Sequence, residues 1–118
     1  MGPRAGTADA SIATAQHPCC CPRYHEAVEL VGKRWTGAIL YVLMQGGRLR
    51  FTQVAQAVPD LSDRLLSERM KELEAKGIVV RHVSPDAPVK VCYELTEKGR
   101  QLAPALDELK SWADRWLV

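Results

Sequence analysis

Mainly α-helical with one small β-hairpin, an α+β arrangement, is the fold class this sequence predicts, and three observations carry it. Apolar residues recur at helical spacing from Pro22 to Gly77, punctuated by glycine and proline. The period then becomes alternating. Ile78 to Val83 is rich in β-branched residues, and Val89, Val91, Tyr93 and Leu95 alternate with Lys90, Cys92 and Glu94. After Thr96 the helical period returns through Leu102, Leu106, Leu109, Ala113 and Trp116. Two short helices around a tight turn, then a hairpin, make a winged helix-turn-helix pattern.

The totals set the scale. With 118 residues, 47% apolar and 25% charged, the chain has material for one domain with a small core and a tail. No run approaches the roughly 18 apolar residues of a membrane span, and no apolar stretch follows a basic start, so a cytoplasmic protein without membrane contact is expected. Net charge is only +2, but the segment from Lys33 to Lys90 holds ten basic and six acidic residues. The positive excess therefore lies where phosphates would be met. Three consecutive cysteines, Cys19, Cys20 and Cys21, and a distant Cys92 do not form the pattern of a secreted disulfide framework.

In chain order, residues 1–18 mix Gly, Ala, Thr, Ser and Pro without an apolar period and are expected to be a flexible tail ahead of a domain over 19–118. Pro22 suits a first helical turn, which makes Cys21 the cap of a helix carrying Tyr24, Ala27, Val28 and Val31 up to Gly32. A second helix turns Trp35, Ala38, Ile39, Val42 and Leu43 inward and stops at Gly46-Gly47. Lys33 and Arg34 lie at the joint between them. Arg48 to Phe51 suits a short edge strand. Thr52 is placed to cap the helix of Val54, Ala55 and Val58, which Pro59 closes.

The organising stretch is Leu61 to Ile78. Ser62 can cap it and Gly77 can end it in the left-handed conformation. Leu66, Met70 and Leu73 form one apolar stripe, while Arg64, Ser67, Glu68 and Lys71 lie opposite. Ser84 to Pro88 has the composition of an exposed wing tip, with Arg81, His82 and Lys90 nearby. Thr96 caps the last helix, and Pro104 within it predicts a kink or a delayed start. That helix also carries Ala105, Trp112 and Leu117, more apolar surface than one small domain covers, so part of it is expected to meet a second subunit.

The chemistry that follows is double-stranded DNA recognition. Ser62, Asp63, Arg64, Ser67, Glu68 and Lys71 on the second helix of the motif are the candidate contacts. Arg50 and Thr52 before it, and Arg81, His82 and Lys90 on the wing, complete the set. Mixed charge suits base readout, because Arg64 can pair with guanine and a carboxylate can accept from cytosine N4. A winged helix used only for protein contacts is the competing expectation, favoured by Asp63 and Glu68. An enzyme is not expected, since no Gly-rich phosphate loop, carboxylate pair beside a histidine or nucleophile with a local base is present. No cofactor is expected. Zinc or an iron–sulfur cluster on Cys19, Cys20 and Cys21 is disfavoured by the missing two-residue spacer. Cys21 lies at the positive end of the first helix beside Arg23, and both features favour a thiolate.

These residues resemble the HxlR-type family of bacterial winged-helix transcriptional regulators, relatives of the MarR group. The resemblance runs from Cys21 to about Trp116. It is carried by Cys21-Pro22, Gly32 with Lys33-Arg34-Trp35, Arg50-Phe51-Thr52, Leu61-Ser62, Leu73-Glu74-Ala75-Lys76-Gly77-Ile78 and Tyr93-Glu94-Leu95-Thr96-Glu97-Lys98-Gly99. It implies a homodimer joined through the first and last helices, with Tyr24, Val28, Leu102, Leu106, Leu109, Trp112 and Trp116 at the interface. It further implies a repressor that binds an inverted repeat, with the cysteine ahead of the first proline sensing a small-molecule oxidant or electrophile. Cys21 is then the sensor and Cys92 a candidate partner thiol. Three cysteines where one is usual is a departure from the family pattern.

Overall fold

The computed structural model describes residues 18–19 and 21–117. The expected tail, 1–18, lies outside them apart from Pro18, as does Cys20. The chain divides into two units, 1–30 and 31–118.

In the first unit, α1 spans Pro22–Val31. Its first intrahelical bond runs from the His25 amide to the Cys21 carbonyl at 2.9 Å, so Cys21 is the half-in residue ahead of the helix, as expected. None of its residues is buried, and Tyr24 and Val28 are exposed.

The second unit holds α2 (Thr36–Gly46), β1 (Leu49–Arg50), α3 (Phe51–Ala57), α4 (Asp63–Ala75), β2 (Val79–Val83), β3 (Val91–Leu95), α5 (Glu97–Arg100) and α6 (Ala103–Trp116). The strands form one antiparallel sheet in the order β1-β3-β2, with β1 the short edge strand. The hairpin register pairs Val79 with Leu95 and Val83 with Val91, and on the other side Arg50 pairs with Cys92.

The core is built where apolar stripes of α2, α3 and α4 converge on the inner ends of the hairpin. Leu66, Met70 and Leu73 are almost fully buried, as are Ile39, Leu40 and Leu43. Each such side chain contributes about 1.5–3 kcal/mol relative to exposure, as an upper bound. The inward face of α2 differs from the expectation. Ala38 is exposed and Val42 half-buried, whereas Thr36 and Leu40 are buried. Nearly every residue from Ala38 to Met44 is apolar, so periodicity does not select a face. Trp35 stands outside the helix at φ 74°, ψ −16° and shifts the start to Thr36. A left-handed conformation costs an L residue about 1–2 kcal/mol, so this turn must be held by its surroundings.

Two further expectations are corrected. Thr52 does not cap α3 but lies in its first turn. Arg50 precedes the helix, and its amide donates to the Gln53 side chain at 2.8 Å, because the chain leaves β1 directly into the helix. Pro104 produces the delayed start rather than a kink: Thr96 caps only the short α5, and α6 begins anew at Ala103 with the proline in its first turn, where its missing N–H costs nothing.

Candidate nucleic-acid interface

The ends of α4 are defined by side chains and backbone together. Ser62 Oγ accepts from the Leu65 amide at 3.2 Å, and buried Leu61 and Leu66 hold the positions of a hydrophobic staple across that cap. At the other end Gly77 sits at φ 73°, the Ile78 amide donates to the Leu73 carbonyl at 2.9 Å and the Gly77 amide to Glu74 at 3.0 Å, a Schellman closure. Thr96 Oγ1 donates to the Gly77 carbonyl at 2.6 Å while accepting from the Gly99 amide at 3.2 Å. Lys98 Nζ reaches the Lys76 carbonyl at 2.7 Å. These bonds join the two longest motifs of the family resemblance, Leu73 to Ile78 and Tyr93 to Gly99. They fix the end of α4 to the start of α5. Gly99 is needed for the fit, because a Cβ there would collide with the Ile78 carbonyl.

With the apolar stripe inward, α4 presents Arg64, Glu68 and Lys71 to solvent, while Ser67 is half-buried beside them. Arg64 Nε lies 3.5 Å from Glu68, one helical turn on, and its side chain is 91% exposed. A pair this exposed is worth only about 0.3–0.5 kcal/mol, so Arg64 can exchange Glu68 for a base at little cost. Lys71 makes no ion pair among the described residues. Asp63 occupies the first turn, where a carboxylate complements the helix dipole. Arg50 in β1 and Thr52 in the first turn of α3 are exposed, as are Arg81 and Lys90 on the hairpin.

His82, counted among the expected contacts, is paired within the protein. Its Nε2 lies 2.9 Å from Glu94 Oε1, which also accepts from Arg48 Nη2 at 3.3 Å. The histidine is thus engaged within the sheet. Lys33 and Arg34 are likewise occupied: Lys33 Nζ pairs with Glu72 at 3.0 Å, and the Arg34 guanidinium lies 5.4 Å from the Trp35 ring centroid. Sequence reasoning passed over Arg69, whose Nε donates to the Arg34 carbonyl at 2.9 Å and whose Nη1 lies 3.4 Å from Glu72. The three-residue spacing of Arg69 and Glu72 was the available signal; the Arg34 carbonyl had none.

A family model for HxlR-like helix-turn-helix proteins matches residues 30–118. The chain belongs to the HxlR-like family. Among similar curated proteins, the helix-turn-helix-type transcriptional regulators YvaP and YodB of Bacillus subtilis (strain 168) are each 47% identical, over 97 and 96 residues. These alignments cover 82% and 81% of this chain and 89% and 85% of the relatives. The reduced form of YodB superposes with a TM-score of 0.75 at 46% identity, covering 83% of this chain and 95% of the other. YodB has also been solved diamide-treated and quinone-bound. The reduced form of the redox regulator HypR gives a TM-score of 0.74 at 34% identity, covering 79% of this chain and 91% of that one. This HxlR-like protein is accordingly a helix-turn-helix transcriptional regulator, a non-enzymatic class that acts by binding DNA.

The cysteines of this HxlR-like chain differ in setting. Cys19 and Cys21 are exposed, and Cys92 is half-buried in β3 with His82 and Arg50 as its partners in register. The Tyr24 amide, and after it the Arg23 amide, hold the Cys21 thiol below its ordinary range; the Arg23 side chain assists against a small opposing effect of burial. Among the described residues no group of three or more His, Cys, Asp or Glu is placed to hold a metal. The cluster considered for Cys19, Cys20 and Cys21 falls outside that statement because of Cys20. Nor is any described helix long and apolar enough to cross a membrane.

Proposed function

We propose that this protein is a repressor that binds an inverted repeat as a homodimer, reads it with α4, flanks it with the β2–β3 wing and releases it when Cys21 is oxidised or alkylated. The carrying observation is the exposed Arg64–Glu68–Lys71 face of α4, on a helix capped at both ends and seated by three buried residues. Arg64 is assigned to a guanine edge and Lys71 to a phosphate. Arg81 and Lys90 would meet the backbone beside the wing.

The dimer reading rests on exposed apolar side chains. On α6, Leu109, Trp112 and Trp116 are 59%, 51% and 64% exposed, and on α1 Tyr24 is 70% exposed. Leu106 leaves the interface set because it is already buried within one chain at 8% exposure, and Leu102 is half-buried.

The sensing reading rests on Cys21. Two backbone amides at the helix start, those of Tyr24 and Arg23, hold its pKa below the ordinary range and so favour the thiolate, the form that attacks electrophiles. With a quinone, the thiolate sulfur bonds to a ring carbon and the ring takes a proton as it returns to the aromatic hydroquinone. With diamide, two thiols lose two protons and two electrons to the N=N bond, giving a disulfide and a hydrazine. YodB, solved reduced, diamide-treated and quinone-bound, supports carrying this chemistry to the present chain. The test is a gel shift on the protein's own upstream DNA with and without quinone or diamide. Wild type is released and Cys21→Ser is not; release of Cys21→Ser equal to wild type refutes the assignment.

A further inference from the structure

Arg69 is the most heavily buried charged side chain among those in ion pairs, at 12% exposure. On α4 it lies about 60° from the centre of the Leu66–Met70–Leu73 stripe, and Glu72 follows on the same flank. Arg69 is thus turned away from Arg64 and Lys71, while Glu72, one turn on from Glu68, borders the exposed face. What Arg69 meets is the turn between α1 and α2. Its Nε donates to the Arg34 carbonyl at 2.9 Å, and its Nη1 lies 3.4 Å from both Glu72 oxygens. Glu72 in turn accepts from Lys33 Nζ at 3.0 Å. The turn closes on itself through the Thr36 amide and the Lys33 carbonyl at 3.0 Å, and Trp35, inside it, is held at φ 74°.

A non-glycine residue stays in that conformation only where its surroundings over-determine it. Here the surroundings are two cations and a carboxylate shared between the turn and α4. A forked guanidinium fixes direction as well as distance, so the link adds to the packed stripe and the α5 junction a direct resistance to rotation of α4 about its own axis.

We propose that Arg69 is a positioning residue for DNA reading: it bolts α4 to the left-handed Lys33–Trp35 turn and thereby sets the rotation at which Arg64, Glu68 and Lys71 meet the groove. The proposal rests on the reading of α4 as the DNA-reading helix. Loss of the bolt leaves the exposed charges intact but lets them meet bases at a spread of angles. Sequence discrimination falls, while phosphate-driven affinity is retained.

The experiment uses the full chain and a duplex selected from a randomised pool by wild type, with a scrambled duplex of equal composition, at one salt concentration. Arg69→Met keeps the apolar stem and removes every donor, whereas Arg69→Lys retains a cation able to reach the Arg34 carbonyl. Arg69→Met is expected to reduce the ratio of selected to scrambled affinity about tenfold, the discrimination of one well-placed base contact, with scrambled affinity within about twofold of wild type. Arg69→Lys recovers at least part of the ratio. Should Arg69→Met fail to fold, Arg69→Met with Trp35→Gly relieves the left-handed turn and is measured instead. A wild-type ratio in a folded Arg69→Met protein, or a ratio restored by Trp35→Gly, overturns the proposal. If wild type itself shows no preference between the two duplexes while Arg64→Ala leaves binding unchanged, it is the reading of α4 that fails.

Discussion

Glu94 Oε1 and His82 Nε2 meet at 2.9 Å across the hairpin, and Arg48 reaches the same oxygen from the residue ahead of β1. One carboxylate thereby ties together the two wing strands and the approach to the edge strand. The His82 hydrogen bond first, and the Arg48 charge with it, hold the Glu94 carboxyl below its ordinary 4.5. A depressed carboxyl contributes stability that is fully present above the unfolded value and is lost as pH falls through the folded one. Between about pH 5 and 3, wild type should lose stability faster than Glu94→Gln. Urea midpoints across that window test this, and parallel curves for the two proteins contradict it.

Arg64 and Lys71 share a helix face but are assigned different work. Arg64→Ala should cost about 1–3 kcal/mol on the selected site and little on scrambled DNA, whereas Lys71→Ala should weaken both alike and flatten the salt dependence by about one charge. Titrations at several salt concentrations separate the two. Equal, sequence-independent losses would take base readout away from Arg64.

The exposed face of α6 predicts association. Trp112→Ala should weaken the dimer by about 2 kcal/mol or more, as buried aromatic anchors do, with little effect on the folding of one chain because the residue is exposed within it. Sedimentation equilibrium of wild type and variant reads this directly. A monomeric wild type at micromolar concentration would remove the interface.

The junction behind α4 predicts stability effects. Thr96→Val keeps the shape but removes both the bond to the Gly77 carbonyl and the cap on Gly99, at a cost of about 1–2 kcal/mol. Gly99→Ala should cost more, because the Ile78 carbonyl must move. Denaturant unfolding ranks them, and a Gly99→Ala protein as stable as wild type contradicts the close approach.

Legibility in the sequence followed the physics of each element. Helix α4 could be read almost completely because its cap, stripe and terminal glycine are all local signals. The hairpin was equally plain from alternation, though its ladder is shorter than the run of alternating residues, starting at Val79 and Val91. Helix α2 was misoriented because a nearly all-apolar segment has no preferred face. Charge assignments fared least well. His82 and Lys33 found partners 12 and 39 residues away, and Arg69 the Arg34 carbonyl 35 residues away, and no spacing rule announces such pairs.

The bond from Thr96 to Gly77 spans 19 residues and encloses the entire hairpin. A chain emerging from the ribosome can close α4 through its own Schellman bonds, but the Lys76 and Gly77 carbonyls just beyond the helix stay open to solvent until the wing has folded back and residues 96–98 have appeared. Closing such a loop costs entropy before any bond rewards it. The anchoring of α4 to the start of α5 is consequently completed late in synthesis, and a product truncated within the wing carries the helix without that anchor.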